Sequence, residues 1–351
     1  MNGKSSGIVI PVPLTLTAAA DDDGRRLDRL LRKALRDLPL SAIHRLLRQG
    51  RIRVNGETAA PARRVRAGET ITIEESHGKT TAPSPPRFAP SALPPRREPK
   101  VQCEKRSGTV LQKAEGNLEI LFEGSGLLVL NKPAGLAVHG GDGSNAPHLA
   151  GQVLSWLAPK LPPSLSFKPG PLHRLDKPSS GVIAFSTNIQ GARLFSAMMR
   201  ERTIKKLYLA LVQGSITEAE TWQDELSRDR DMKKTFAGGQ HGGKRQTAVT
   251  KVRPLAQNAG CTLLLAEIET GRPHQIRAQA AARGHPLLGD TKYGARSSPN
   301  GGFLLHAWRM EFPADAPLPA LPERIEAPLP EYFSAKIREL FGGDALQFIS
   351  G

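Results

Sequence analysis

Apolar residues recur at helical spacing in two early segments. In RRLDRLLRKALR, residues 25 to 36, Leu27, Leu30, Leu31, Ala34 and Leu35 share a face, with Arg25, Arg29, Arg32 and Arg36 on or beside the other, which predicts an amphipathic basic helix. A second helix is expected with Ser41 as its cap, Ile43, Leu46 and Leu47 turned inward, and Gly50 as its stop. RIRVNGET then places Ile52 and Val54 on one face of a strand that turns at Asn55-Gly56, and VRAGETITI predicts a further short strand pair around Gly68. Ahead of these, IVIPVPL is short and broken by prolines and reads as a strand or loose leader, so the first small domain is drawn over residues 23–76 after a leader of 1–22.

The pattern changes twice more. From Ser76 to Ser107 the chain is rich in proline and poor in aliphatics, which predicts an extended, partly stiff linker, drawn over 77–117. From NLEILFEG onward come apolar runs, LEILFE, LLVLNK, VIAFST, LYLALVQG, TAVTKV and TLLLAEIE, separated by helical stretches at 189–200 and 274–283. A second domain over 118–345 is expected, an α+β arrangement with a mixed sheet and peripheral helices. GGQHGGKRQT follows no apolar strand and lacks phosphate-loop spacing, so it reads as a loop and nucleotide hydrolysis is disfavoured.

Composition narrows the partner. The 351 residues carry a formal charge of +16, and the sequence pI is about 10.2. Such a surplus favours a polyanion, through field steering and phosphate neutralisation, and nucleic acid leads that list. Only Cys103 and Cys261 occur, too few for a disulfide framework and not spaced for zinc, so both read as inert and a reducing, cytoplasmic compartment is expected. No stretch approaches the roughly 20 apolar residues of a membrane span. With no heptad seam a monomer is expected.

The densest polar segment is Pro171-Leu172-His173-Arg174-Leu175-Asp176-Lys177-Pro178-Ser179-Ser180-Gly181-Val182, at the mouth of the strand IAFS. Asp176 beside Arg174 and Lys177 reads either as an ionised carboxylate held by cations for chemistry or as a structural ion pair.

Several motifs in order carry a resemblance. Arg26-Leu27-Asp28 and Arg53-Val54-Asn55-Gly56 resemble the S4 RNA-binding domain, which implies that Arg26, Arg29, Arg45, Arg48, Arg51 and Arg53 form an RNA-binding face. Asn131-Lys132-Pro133-Ala134-Gly135, HRLDKPSSG, Lys206-Leu207-Tyr208-Leu209-Ala210-Leu211-Val212, Thr270-Gly271-Arg272-Pro273-His274-Gln275-Ile276-Arg277 and Gly284-His285-Pro286-Leu287-Leu288-Gly289-Asp290 together resemble the pseudouridine synthases that modify the ribosomal large subunit, from about residue 118 to Phe312. Residues 136–143, LAVHGGDG, look like the family's C type, and the domain order is also similar.

The resemblance implies a largely antiparallel sheet and isomerisation of uridine to pseudouridine in large-subunit ribosomal RNA, with no cofactor or metal. It implies Asp176 as the catalytic carboxylate, either adding at C1′ or removing the 2′ proton, with Arg277 as its cation. Tyr208 would stack on the flipped uracil and take part in proton removal at C5, and Arg174 would fill the space the base vacates. Lys132, Arg272 and His274 are expected around phosphates or in support of the site, and His173 and His285 as core or capping histidines. The family usually has Thr where Pro273 and Ser179 stand and His where Gln279 stands, which bears on helix geometry and target choice. A non-catalytic RNA-binding assembly factor and a transfer-RNA pseudouridine synthase are the alternatives. A glycoside hydrolase would need a second acid across the sugar, and none stands out.

Overall fold

The structure, a computed structural model, describes residues 13–74, 112–114, 118–140, 146–161, 164–229, 231–238, 244–258, 260–296 and 302–350. Most of IVIPVPL, the proline-rich linker, Cys103 and the centre of GGQHGGKRQT lie outside these residues. The chain divides into two compact units.

In the first unit, β1 (Leu14–Thr17), β2 (Ile52–Val54), β3 (Glu57–Thr58) and β4 (Thr70–Ile73) form a sheet of order β1-β4-β2-β3, with α1 (Leu27–Ala34) and α2 (Leu40–Arg48). Leu27, Leu30, Leu31, Ile43, Leu47, Ile52, Val54, Ile71 and Ile73 form its core. These are the positions that the helical and period-two spacings select. Asn55 and Gly56 both take positive φ, 52° and 84°, as a two-residue hairpin turn requires.

Three local expectations need correction. The segment drawn as leader supplies β1, which pairs with β4 from Leu14 opposite Ile73 to Thr17 opposite Thr70. α2 begins one residue before Ser41, with Pro39 at the cap position and no side-chain cap, because the fixed φ of proline already suits the entry. There is no strand pair around Gly68: Val65 exchanges backbone bonds with Gly24 and Arg25, leaving β4 to pair with β1 and β2.

The second unit is built on one sheet. Its strands are β5 (Gln112–Ala114), β6 (Leu118–Gly124), β7 (Leu127–Lys132), β8 (Gly170–Pro171), β9 (Ser180–Ser186), β10 (Lys205–Gln213), β11 (Glu220–Asp229), β12 (Lys234–Ala237), β13 (Gln246–Gln257), β14 (Cys261–Ile268), β15 (Leu305–Glu311) and β16 (Arg324–Glu326). The order is β12-β11-β13-β14-β10-β15-β9-β7-β6-β5, with β16 on β15 and β8 on β9. All six predicted apolar runs are strands. The helices are α3 (Leu149–Leu157), α4 (Ile189–Glu201), α5 (Gln275–Ala282), α6 (Glu331–Phe341) and the short α7 (Gln347–Ser350).

Among the described strands every pairing is antiparallel except β15 with β9, where His306 lies opposite Ser180 and Ala307 opposite Gly181. This central contact needs a glycine: Gly181 has φ +109°, and a Cβ there would stand 2.1 Å from the Ala307 carbonyl oxygen. β9 is buried along its whole length, so the polar loop before it, residues 172–179, is held at the edge of the core.

Candidate active site

The loop ahead of β9 carries Asp176, and its path is set from below by Lys132. Lys132 is fully buried at the end of β7, and its ammonium donates to the carbonyls of Pro133 (2.8 Å), Leu136 (2.8 Å) and Lys177 (3.2 Å). The Gly135 N–H also donates to the Lys177 carbonyl, and the Ser179 N–H donates to that of Asp176. Lys132 is therefore not a phosphate ligand: its three donors are spent on backbone and no face of it reaches solvent. Burial draws its pKa down to about 8, and the Asp176 carboxylate opposes the shift.

Arg277 arrives from the first turn of α5. Its Nη1 donates to Asp176 Oδ2 at 2.8 Å, while Nε and Nη2 grip Asp290 at 2.6 and 2.9 Å. The guanidinium lies 4.1 Å from the Phe303 ring centroid and 4.8 Å from that of Tyr293. Burial opposes its charge, but Asp290 and then Asp176 hold its pKa above the ordinary arginine value. Arg277 is thus no surface residue. Asp290, buried and gripped bidentately, fixes the fork so that Nη1 is turned to Asp176. Asp290 closes the GHPLLGD motif, but sequence spacing offered no sign that it completes an ion-pair chain.

The second oxygen of Asp176 faces His274, whose Nε2 lies 3.9 Å from Oδ1. That is too long for a hydrogen bond. Nor is it an ion pair at neutral pH, since burial holds His274 at about 4 despite the nearby carboxylate. The Tyr293 hydroxyl accepts from the Thr235 N–H and meets His274 Nδ1 at 2.9 Å. With the hydroxyl proton given to Nδ1, the imidazole keeps its own proton on Nε2, toward Asp176. His274 has φ +55°, a left-handed conformation uncommon outside glycine and asparagine that directs its ring into the site.

Tyr208, on β10, completes the floor. It is buried, and both burial and the Asp176 charge raise its pKa, so the phenol stays neutral. Asp176, Tyr208, Arg277, His274, Arg174 and Arg272 line one cleft of about 280 Å³, near the lower end of ligand-pocket sizes. At its rim Arg174 is exposed and has no carboxylate partner among the described residues, and Arg272 donates to the Thr247 carbonyl at 3.1 Å. Lys206, on β10 two residues before Tyr208, also lines the cleft.

The remaining singled-out residues have other duties. His173 accepts from the Ala184 N–H and stacks on Phe195, and His285 bonds the Gln213 carbonyl. Gln279 is buried and joins α5 to β11 and β13 through Trp222, Asp224, Ala248 and Thr250, so its departure from the expected histidine bears on packing. Among the described residues no cluster of His, Cys, Asp or Glu is arranged to hold a metal ion. In the first unit Arg29, Arg45 and Arg48 are exposed without carboxylate partners among the described residues. Arg26 pairs with Asp28 and Arg53 with Glu74, and Arg51 is half-buried.

The buried histidines imply a pH response. His173, His274 and His306 are each held at about 4, chiefly by burial, against an ordinary 6.5. The unfolded chain protonates them near 6.5 while the fold refuses the proton until about 4. Their contribution is therefore complete above 6.5 and is lost as pH falls toward 4, at up to about 4 kcal/mol per pH unit for three protons. The urea midpoint of the second unit is expected to fall between pH 7 and pH 5, with proton uptake on unfolding. An unchanged midpoint would rule this out.

Comparison with known proteins bears on the two units. Residues 126–282 match the family model for RNA pseudouridylate synthase, and residues 25–71 match that for the S4 domain. The chain is similar to ribosomal large subunit pseudouridine synthase C of Salmonella typhimurium, 31% identical over 284 residues, with 79% of each chain covered. It is 29% identical over 343 residues to the protein of that name from Pasteurella multocida, with 94% of each covered. Among solved structures, human RNA pseudouridylate synthase domain containing 4 superimposes with a TM-score of 0.50 at 25% identity, covering 63% of this chain and 92% of that one.

Proposed function

As the chain belongs to the RNA pseudouridylate synthase family, we propose that it isomerises particular uridines of large-subunit ribosomal RNA to pseudouridine, with Asp176 as the catalytic carboxylate. The observation that carries the assignment of Asp176 is its pairing with a buried arginine through one oxygen only, which leaves Oδ1 turned into a nucleoside-sized cleft. The large-subunit target rests on the relatives' names and on the S4 match.

The reaction breaks the bond from C1′ to N1, turns the base and joins C1′ to C5. Oδ1 either adds at C1′, giving an ester that C5 later displaces, or takes the 2′ proton and afterwards returns it. Either way no atom is gained or lost. Arg277 holds Asp176 in place through its Oδ2 and turns Oδ1 toward the cleft. Tyr208, held neutral, suits stacking on the base and hydrogen bonding to it; proton removal at C5 by Tyr208 would first need a phenolate, which burial and Asp176 oppose. The uridine must leave its stack to enter, at a cost of a few kcal/mol, and Arg174, exposed and without a carboxylate partner among the described residues, is assigned to fill the space behind it.

The test is pseudouridine mapping on unmodified large-subunit RNA incubated with purified protein, with transfer RNA in parallel. New pseudouridines confined to the ribosomal RNA support the reading, product on transfer RNA alone moves the target, and binding without product on either favours an assembly factor. Arg29, Arg45 and Arg48 are assigned to phosphate contacts. Changing Arg45 and Arg48 together to Gln is expected to weaken RNA binding about 10-fold or more at low salt and to reduce the salt dependence by about two counterions, with single-turnover rate at saturation unchanged. An unaltered salt slope would take the arginines out of the RNA interface. Among the described residues no helix is long and apolar enough to cross a membrane.

A further inference from the structure

Lys206 and Tyr208 stand two residues apart on β10, on the same face, and both line the cleft that holds Asp176. Lys206 is only 6% exposed, yet among the described residues its ammonium has no hydrogen-bond acceptor and no carboxylate partner. A lysine this buried is almost always paired. Burial, and after it the like charge of Arg202, pulls its pKa below the ordinary lysine value. Asp176, in contrast, acts on Tyr208 and Lys132. An unpartnered ammonium on the inner wall of a cleft is a cost to the empty protein that an incoming acceptor would relieve.

Resting on the reading of this cleft as a uridine site, we infer that Lys206 receives a carbonyl oxygen of the target uracil and stabilises the negative charge the ring acquires when its bond to C1′ breaks. That bond leaves with its electron pair on N1, and the charge spreads to the O2 and O4 carbonyls. C1′ is meanwhile taken up by the Asp176 carboxylate, or the sugar loses its 2′ proton to it. When C5 joins C1′ the ring charge is neutralised; C5 gives its proton to water and N1 takes one from water, so that the product is an isomer, and Lys206 has changed no bond of its own. A fixed cation aimed at charge that exists only during reaction contributes to rate rather than to binding. A backbone phosphate is the poorer occupant, because Arg174, exposed at the rim, stands where the backbone would pass, whereas Lys206 sits inside beside Tyr208, Met199 and Leu305.

The experiment compares the wild type with Lys206→Met and Lys206→Arg on short RNAs spanning the mapped site, carrying either uridine or 5-fluorouridine there. Fluorine makes the departing ring anion more stable and less in need of the ammonium. In single turnover, Lys206→Met is expected to slow cleavage of the uridine bond by about 10²- to 10³-fold, the size of loss seen when one oxyanion donor is removed. The loss with 5-fluorouridine should be at least tenfold smaller, with RNA affinity nearly unchanged and Lys206→Arg partly active. The thermal transition of Lys206→Met should rise, since a buried unpaired charge has gone. Equal losses on both RNAs, a lowered transition or failure to fold would make Lys206 a packing residue and overturn the proposal, as would an unchanged rate. If the wild type itself modifies neither ribosomal nor transfer RNA, the uridine reading fails and this inference falls with it; an active wild type with an indifferent Lys206→Met sinks the inference alone.

Discussion

Asp176→Asn is expected to abolish pseudouridine formation, lowering the single-turnover rate by on the order of 10⁴ or more, while RNA affinity stays within a few-fold of wild type. The asparagine is isosteric and keeps an oxygen for Arg277 Nη1. It can neither add to C1′ as a carboxylate nor accept the 2′ proton, so both routes are closed. The fold should survive, because Asp290 still satisfies two of the Arg277 donors at 2.6 and 2.9 Å. Pseudouridine mapping with the variant beside the wild type decides the matter. Product from both proteins at similar rates would mean that the catalytic carboxylate has been misassigned.

The second large effect concerns the chain Asp176–Arg277–Asp290. Arg277→Met leaves Asp290 buried at 2% exposure with its bidentate partner gone, and Asp290→Leu leaves the guanidinium with one partner in place of two. Each single change is expected to cost about 3–5 kcal/mol of stability, the range for stripping one member from a buried pair. The double variant removes the charges together, and most of that loss should be recovered. Activity should not return with it, since Asp176 then lacks the donor that holds its carboxylate in place. Urea denaturation across the cycle reads the first effect and single-turnover kinetics the second. Recovery of both in the double variant would show that Arg277 serves the fold alone, and additive stability losses would show that the two residues do not act as a pair.

The same pair marks the boundary between what the chain announces and what its folding decides. Periodicity alone located the helices of the first unit and the six apolar strands of the second, because burial of one face leaves a repeat of 3.6 or 2 in the order of residues. The surplus of +16 pointed to a polyanion, and motif resemblance brought Asp176, Tyr208 and Arg277 forward as one site. These are properties of composition and of short segments. Capping and pairing at the ends of elements were less legible: Pro39 took the place given to Ser41, and Val65 paired with residues 24–25 rather than with β4, since partners for backbone groups are chosen by what lies nearby in space.

The tertiary structure alone decided how charges are apportioned. Lys132 was expected around phosphates or in support of the site, and the fold spends it on three carbonyls beneath the catalytic loop. Asp290 became the anchor of Arg277, Lys206 was left on the cleft wall without a carboxylate partner among the described residues, and His274 was turned into the cleft in a left-handed conformation. None of this is encoded in spacing along the chain. A charged side chain is committed by the dielectric and by the nearest counter-group, and both exist only once strands distant in sequence have been brought together.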